Sequence, residues 1–188
     1  MNLVIFGPPG AGKGTQSKFI VERFNMYQLS TGEFLRNEMS KKTEVGEKIS
    51  SVINAGALVS DEIVSDLIEK IISNEKYQNR IIFDGYPRNL NQAKNLENLL
   101  KKYNQKIGIV LKLSVGLKTI KKRISERLDI EKRSDDNEKI AIKRYETYEK
   151  STEPVIEYYK KLNLLKVVDG ERPIDQINKE ISDIISLI

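Results

Sequence analysis

A phosphate-binding loop is indicated by the segment Gly7–Thr15, which reads GPPGAGKGT. The segment directly follows an apolar run, Leu3–Phe6, and precedes a helical pattern, which is the order of strand, loop and helix that such a site requires. Glycines allow the positive φ angles at which consecutive N–H groups face one anion. The helix amino terminus adds a partial positive charge and Lys13 adds a full one. The loop therefore predicts binding of the phosphates of a nucleoside triphosphate.

One position departs from the usual form of this loop. Gly14 stands where Ser or Thr normally follows the lysine and ligates Mg²⁺, and Thr15 comes one residue later. We therefore expect the metal to be held chiefly by phosphates and water. Asp84 ends the apolar run Ile81–Phe83, where a carboxylate could orient that water. Capping of a loop is the other role open to Asp84.

Composition limits the chemistry that is possible. The 188 residues include no histidine and no cysteine, which excludes a disulfide framework, thiolate metal ligands and an imidazole base. The net charge of +5 would suit nucleic acid, but lysines are mixed with glutamates, as in Lys41–Glu44, which is typical of a solvated surface. No basic signal-peptide region and no apolar run of about 18 residues occurs. We expect a cytoplasmic protein that binds neither nucleic acid nor membrane.

The apolar pattern predicts an α/β fold with a parallel sheet flanked by helices, in a single domain over 1–188. Continuous apolar runs indicate strands that are buried on both faces. These runs are Leu3–Phe6, Tyr27–Leu29, Ile81–Phe83, Ile107–Leu113 and Leu164–Val168. Helical stripes lie between them, at Ile63–Ile72 after a cap at Ser60 or Asp61, at Leu117–Leu128, and at Ile174–Leu187 after Pro173.

Two segments interrupt the alternation of strands and helices. Residues 30–59 carry two helical patterns without a strand between them and end at Asn54-Ala55-Gly56, a helix stop. Residues 128–136 are polar and aperiodic. Both segments are predicted to leave the sheet edge, where elements that cover a substrate usually lie.

Further motifs resemble the adenylate kinase family, in the family's order and over essentially the whole chain. They are Leu29–Arg36, Gly56–Val59, Asp84–Ala93, Arg123 with Arg127, Arg133–Asp136, and Arg144. The resemblance implies a P-loop NTPase fold with a five-stranded parallel sheet, an AMP-binding insertion at 30–59 and a short lid at 127–137. The longer, sometimes zinc-bearing lid of some members has no room here and no cysteine or histidine, so no zinc site is expected.

The resemblance also assigns roles to individual residues. The catalytic residues would be Lys13, Arg88, Arg127, Arg133 and Arg144. ATP would be held by Gly10, Ala11, Gly12, Lys13, Gly14, Thr15, Arg123, Arg127 and Arg172, the last near the base through its backbone. AMP would be held by Thr31, Arg36, Ala57, Leu58, Val59, Gly85, Tyr86, Pro87, Arg88, Gln92, Arg133 and Arg144. Asp84 would hold the Mg²⁺ of ATP through water, and a monomer would convert ATP and AMP into two ADP.

The acceptor base can be argued from two of these positions. Uridylate and cytidylate kinases resemble this chain but typically carry Ala in place of Thr31 and Asn-Asp around Gln92. A glutamine amide can accept from the exocyclic amine of adenine and donate to a ring nitrogen, and Thr31 offers a hydroxyl to the same base. Both residues favour AMP as the acceptor.

This reaction does not need the missing histidine. A phosphate monoester has a second pKa of about 6, so the attacking oxygen is already mostly ionised at neutral pH. Arginine suits the remaining task, which is to align two polyanions, because its planar fork binds phosphate and stays charged. Seven of the nine arginines fall on positions that the family motif uses.

Three alternatives stay open at this point. A kinase for another nucleoside monophosphate is the nearest of them. A GTPase-type switch would need an Asn-Lys-x-Asp motif, and Asn178-Lys179-Glu180-Ile181 lacks the aspartate. A nucleotide-dependent nucleic-acid-binding module rests on net charge alone.

Overall fold

A five-stranded parallel sheet forms the centre of the molecule. The computed structural model describes residues 1–131 and 138–188, without the side chains of 130 and 131. The sheet order is β2-β3-β1-β4-β5 and every pair of neighbours is parallel. The strands are β1 Asn2–Phe6, β2 Tyr27–Ser30, β3 Ile81–Asp84, β4 Ile107–Ser114 and β5 Leu165–Asp169. The predicted sheet and its five strands are thereby confirmed.

Helices cover both faces of the sheet. They are α1 Lys13–Phe24, α2 Thr31–Ser40, α3 Glu44–Asn54, α4 Asp61–Ile72, α5 Leu90–Lys102, α6 Leu117–Glu131, α7 Glu138–Ser151, α8 Glu153–Lys161 and α9 Ile174–Ser186, with a 3₁₀ turn at Glu75–Tyr77. None of the helices in the described part of the chain is long and apolar enough to cross a membrane.

The continuous apolar strands contribute side chains to two separate hydrophobic cores, one on each face of the sheet. In β1, Val4 and Phe6 face the core formed with α2 to α5 and α8, whereas Leu3 and Ile5 face the core formed with α1, α6 and α9. Because successive strand residues point to opposite faces, a strand between two helical layers must be apolar throughout. The edge strand β5 differs: Val167 is 56% exposed, so the expectation of burial on both faces was wrong for this strand.

The helical stripes are confirmed in their centres and not at their ends. Ile120, Ile124, Ile177 and Ile181 are buried, but the terminal stripe residues, among them Leu187, are exposed. Helix α4 buries Val64, Ile68 and Ile72, with the predicted Ile63, Leu67 and Ile71 partly buried beside them.

Residues 128–136 were predicted to be an aperiodic segment outside the helices, and this prediction was wrong for residues 128–131. Helix α6 continues to Glu131, because polar helical residues carry no apolar period that a sequence could reveal. The rest of that segment, including Arg133 and most of the predicted lid, lies outside the described residues.

The two helical patterns of residues 30–59 are confirmed as α2 and α3. Ser30 caps α2 by accepting from the N–H of Glu33, and Thr43 caps α3 by accepting from the N–H of Gly46. The helices meet closely at Gly46, where an added Cβ would lie 2.1 Å from the backbone oxygen of Glu38. A side chain here requires backbone movement.

Gly46→Ala is expected to lower the free energy of unfolding by about 1–3 kcal/mol, the usual range for overpacking. Replacement of a helical glycine by alanine otherwise stabilises a helix by about 1 kcal/mol. Gly14→Ala is the matched control, because a Cβ at this helical glycine meets no atom within 4 Å. Urea unfolding followed by circular dichroism measures both, and equal stability of the two variants would contradict the close contact.

Candidate active site

The carboxyl ends of the parallel strands surround one cleft of about 1300 Å³. The loop 7–12 follows β1, α2 begins where β2 ends, Asp84 ends β3, and Gly85 follows it. Ligands of open α/β sheets bind at this edge, where the strand order reverses. The predicted phosphate loop therefore lies at the expected edge of the sheet.

Positive backbone angles shape the phosphate loop. Gly10 and Gly12 have φ of 84° and 94°, which side chains other than glycine rarely adopt. Gly12 is also the N-cap of α1, so the first N–H groups of that helix open toward the cleft. The loop is closed by the N–H of Ala11, which donates to Pro8 O over 3.1 Å.

The ammonium group of Lys13 folds back over its own loop. Its Nζ donates to Gly7 O at 2.7 Å and to Pro8 O at 3.2 Å. Burial lowers the Lys13 pKa from 10.5 to about 8, since the charged form loses hydration. The group is thus held ready at the loop while its positive charge is incompletely compensated.

Several charges around Lys13 act on the same pKa. Asp84 raises it, whereas Arg88, Arg144 and Arg127 lower it. These three arginines come from the loop after β3, from α7 and from α6, and all of them line the cleft. The structure therefore brings four of the five predicted catalytic residues to one place; the fifth, Arg133, lies outside the described residues.

Asp84 is a buried carboxylate of the cleft and is only 7% exposed. Gln28 donates from Nε2 to its Oδ2 at 2.9 Å. This leaves Oδ1 for other partners, and Thr15 lines the same cleft. Mg²⁺ favours oxygen ligands and keeps several waters, so this donor set fits a hydrated Mg²⁺ carried by phosphates. Among the described residues, no group of three or more acidic, histidine or cysteine side chains could share a metal ion.

A second pocket adjoins the cleft and gathers most of the predicted acceptor residues. Its lining includes Thr31, Arg36, Ala57, Leu58, Val59, Gly85, Arg88, Gln92 and Arg144. The helices α2 and α3 with the segment 56–59 form one wall, and the loop after β3 with α5 forms the other. Residues far apart in the sequence are thus brought to one pocket.

The carbonyl oxygen of Gly85 accepts hydrogen bonds from two residues that line this pocket. The Thr31 hydroxyl donates to Gly85 O at 2.9 Å, and Arg88 Nε donates to the same oxygen at 2.7 Å. At its φ of 79°, a Cβ at Gly85 would lie 2.9 Å from Thr31 Oγ1 and 3.0 Å from Arg88 Nη2. Only glycine lets the hydroxyl and the guanidinium share one carbonyl.

The buried amide of Gln92 is held on both sides. Its Oε1 accepts from the N–H of Arg88 at 2.7 Å, and its Nε2 donates to Asp61 Oδ1 at 2.7 Å. An amide group has two N–H donors and two acceptor lone pairs. One N–H and one lone pair therefore stay available for a bound base.

Arg123 connects two loops on the donor side of the cleft. Its Nη1 donates to Ala11 O at 3.3 Å and its Nη2 to Gly170 O at 2.9 Å. The phosphate loop is thereby tied to the segment after β5. The side chain of Arg172 forms ion pairs with Glu180 and Asp169, and its contact with a base through the backbone stays a prediction.

Two predicted acceptor residues lie elsewhere. The Tyr86 side chain is 1% exposed and packs in the core, and Pro87 lines a small adjoining cavity beside Lys13. Sequence reasoning missed Gln28, and it considered Asp61 only as a helix cap. A polar residue at position 28 of a mostly apolar strand could have indicated a role for Gln28 in the site. No feature of the sequence around Asp61 indicated one.

Binding of ATP at pH 8 is expected to take up about half a proton per chain, and the contribution of Lys13 to this uptake should fall toward zero at pH 6.5. The free Lys13 has a pKa of about 8, and bound phosphate favours its charged form, so its pKa rises on binding. The affinity for ATP should therefore decline above pH 8. Titration calorimetry in buffers of different ionisation enthalpy measures the uptake.

Lys13→Met should abolish this uptake, whereas Lys70→Met, at an exposed position in α4, should retain it. An equal uptake by the Lys13 variant would show that another group titrates.

Comparison with known proteins agrees with this geometry. The family model for adenylate kinase matches residues 5–164. The adenylate kinase of Pelagibacter ubique is 45% identical, with 100% of each chain covered. That of Bartonella quintana is 40% identical over 96% of this chain and 97% of its own, and that of Caulobacter sp. strain K31 is 39% identical over 100% of both. This chain therefore belongs to the adenylate kinase family of phosphotransferases.

Proposed function

We propose that this protein catalyses the reversible, Mg²⁺-dependent transfer of the terminal phosphate of ATP to AMP, giving two ADP. The observation that carries the proposal is that Arg88 and Arg144 line both the cleft at the phosphate loop and the adjoining pocket. Two phosphate groups bound on the two sides would thus share the same cations. Family membership supports the same reaction.

The bonds exchanged account for the absence of a general base. An ionised phosphate oxygen of AMP attacks the terminal phosphorus of ATP, and the bond from that phosphorus to the bridging oxygen breaks as ADP leaves. Lys13, Arg88 and Arg144 would stabilise the charge that spreads over the transferred group. Because the arginines cannot lose their protons, their part of this stabilisation does not depend on pH near neutrality.

Mg²⁺, when bound with ATP, would neutralise phosphate charge and draw the phosphates into one geometry. Asp84 is the residue proposed to hold its water shell, with its carboxylate oriented by Gln28. Gly14 has no side chain that could bind the metal, so Thr15 is the residue of the loop that brings a hydroxyl group to the same cleft.

Water is the competing acceptor, so the site has to be covered before transfer. We assign this role to residues 127–137 and to the insertion 30–59. Arg127 stands near the end of α6 on the cleft side, so closure of that segment would carry a cation onto ATP.

The pocket favours an amino group on the acceptor base. Because the Thr31 hydroxyl donates to Gly85 O, its oxygen is left as an acceptor. Adenine offers an exocyclic amine there, whereas uracil offers a carbonyl oxygen. A kinase for UMP is accordingly less well supported than one for AMP.

A coupled assay for ADP tests the activity directly. ATP is supplied with AMP, CMP, UMP, GMP or no acceptor, and AMP is expected to give the highest kcat/KM. Steady release of inorganic phosphate without an acceptor would indicate a nucleotide-dependent switch and would overturn the proposal.

Lys13→Met should lower kcat by about 10³-fold or more, on the scale of other charged groups that stabilise the transition state. Lys70→Met changes an exposed lysine that does not line the cleft, and it should keep the wild-type rate. Turnover by the Lys13 variant within tenfold of wild type would contradict a role in transfer.

Thr31→Ala should reduce the AMP-to-UMP ratio of kcat/KM by about tenfold, since a hydrogen bond that favours the amine is lost. Gly85 O keeps its bond from Arg88, so the backbone does not lose its only partner. Thr31→Ser keeps the hydroxyl and is expected to keep the ratio. A ratio that stays at the wild-type value in Thr31→Ala would exclude base selection by this residue.

The chain is also proposed to act as a monomer, because one copy supplies both sides of the site. A cytoplasmic location is proposed from the absence of cysteine in the sequence. Light scattering at assay concentrations measures the oligomeric state.

A further inference from the structure

We propose that Asp61 is a specificity-positioning residue, which fixes the orientation of the Gln92 amide and thereby sets the order of donor and acceptor that the acceptor base must present. The inference rests on the proposed function. It concerns a residue that touches Gln92 and not the substrate.

The orientation of a side-chain amide is determined only where each of its partners can act solely as a hydrogen-bond donor or solely as an acceptor. Asp61 Oδ1 lies 2.7 Å from Gln92 Nε2, and an ionised carboxylate can only accept. The N–H of Arg88, 2.7 Å from Gln92 Oε1, can only donate. Both partners therefore require the same orientation, and an inverted amide would lose two hydrogen bonds at once.

Asn89 holds Asp61 in place by the same kind of argument. Its Oδ1 caps α5 by accepting from the backbone N–H of Gln92 at 2.8 Å. Only its Nδ2 is then left to face Asp61, and this group donates to Oδ1 at 3.0 Å and to Oδ2 at 3.3 Å. The capping bond of α5 thus fixes the orientation of the Asn89 amide. Asn89, together with the start of α4, holds the Asp61 carboxylate, and Asp61 in turn fixes the orientation of the Gln92 amide.

Asp61 is itself well placed for this task. It is the first residue of α4, after the N-cap Ser60, whose side chain makes no capping bond. Asp61 as a whole residue is exposed, whereas Gln92 is 3% exposed. The carboxylate reaches from the surface to the wall of the pocket.

A Gln92 amide fixed in this way discriminates by the order of groups. Its spare lone pair on Oε1 can accept from the exocyclic amine of adenine, and its spare N–H can donate to the adjacent ring nitrogen. Hypoxanthine has the same ring system with the order reversed, a carbonyl oxygen beside a ring N–H. AMP and IMP therefore differ at the one edge that the fixed amide faces.

The test is the ratio of kcat/KM for AMP to that for IMP. Asp61→Ala should lower this ratio about tenfold, the scale of one hydrogen bond to a charged group, because inversion of the amide then loses only the Arg88 bond. Asp61→Asn should restore the ratio to within about threefold, since its Oδ1 can accept from both Gln92 and Asn89. Should Asp61→Ala not fold, Asp61→Ser, with a side chain one bond shorter, takes its place.

Glu62→Ala is the matched control for the loss of an acidic residue from the first turn of α4. Glu62 is the other acidic residue of that turn and is exposed, so its removal weakens the favourable charge at the helix amino terminus equally. An AMP-to-IMP ratio that falls as far in Glu62→Ala would overturn the proposal, as would an unchanged ratio in Asp61→Ala.

A double-mutant cycle separates positioning from a direct effect. In a Gln92→Ala background, Asp61→Ala should leave the AMP-to-IMP ratio unchanged, because the amide through which it acts is gone. A further tenfold fall in that background would show that Asp61 acts by another route. Failure of the proposed function is distinguishable, since the wild-type protein would then form no ADP from ATP and AMP.

Discussion

Mutual repulsion among cations at one end of the sheet is the constraint on which the rest of this structure depends. Lys13, Arg88, Arg127 and Arg144 act on one another closely enough that the three arginines lower the Lys13 pKa. Burial also costs the Lys13 ammonium group its hydration, which disfavours its charge. The repulsion between Lys13 and these arginines opposes folding. On the proposed function, two bound polyanions would be complementary to the same charges. The site is therefore built for the bound state, and the fold has to supply the compensating stability.

That compensation comes from carbonyl oxygens at the ends of strands. Gly7 O and Gly85 O accept from Lys13 and Arg88, while Ala11 O and Gly170 O accept from Arg123. Such bonds stabilise a cation without cancelling its charge. Because all these carbonyls lie in loops that follow strands of one parallel sheet, the register of the sheet determines where the cations stand. This dependence explains why glycines with positive φ occupy the same loops.

The sequence allowed prediction of those parts of the molecule that local patterns encode. The period of apolar residues indicates strands and helices, and GPPGAGKGT indicates an anion site because glycine and lysine have few other reasons to occur in that order. The exposure of Val167 could not be predicted, since it depends on β5 standing at the sheet edge. The helical continuation to Glu131 has no apolar period. The contacts of Asp61 and Gln28 join residues 31 and 56 positions apart, which no local pattern records.

The phosphate side and the base side of the site depend on different interactions, because phosphates are recognised by charge and bases by the order of their hydrogen-bonding groups. Charge attracts any phosphate from any direction, so arginine and lysine give affinity and transition-state stabilisation but cannot tell one nucleotide from another. A neutral amide or hydroxyl discriminates only when its orientation is determined, and Thr31 and Gln92 are each held by partners with a single possible role. On the proposed function, selectivity therefore depends on groups such as Asp61, which acts through Gln92, whereas rate depends on the cations that would contact the phosphates.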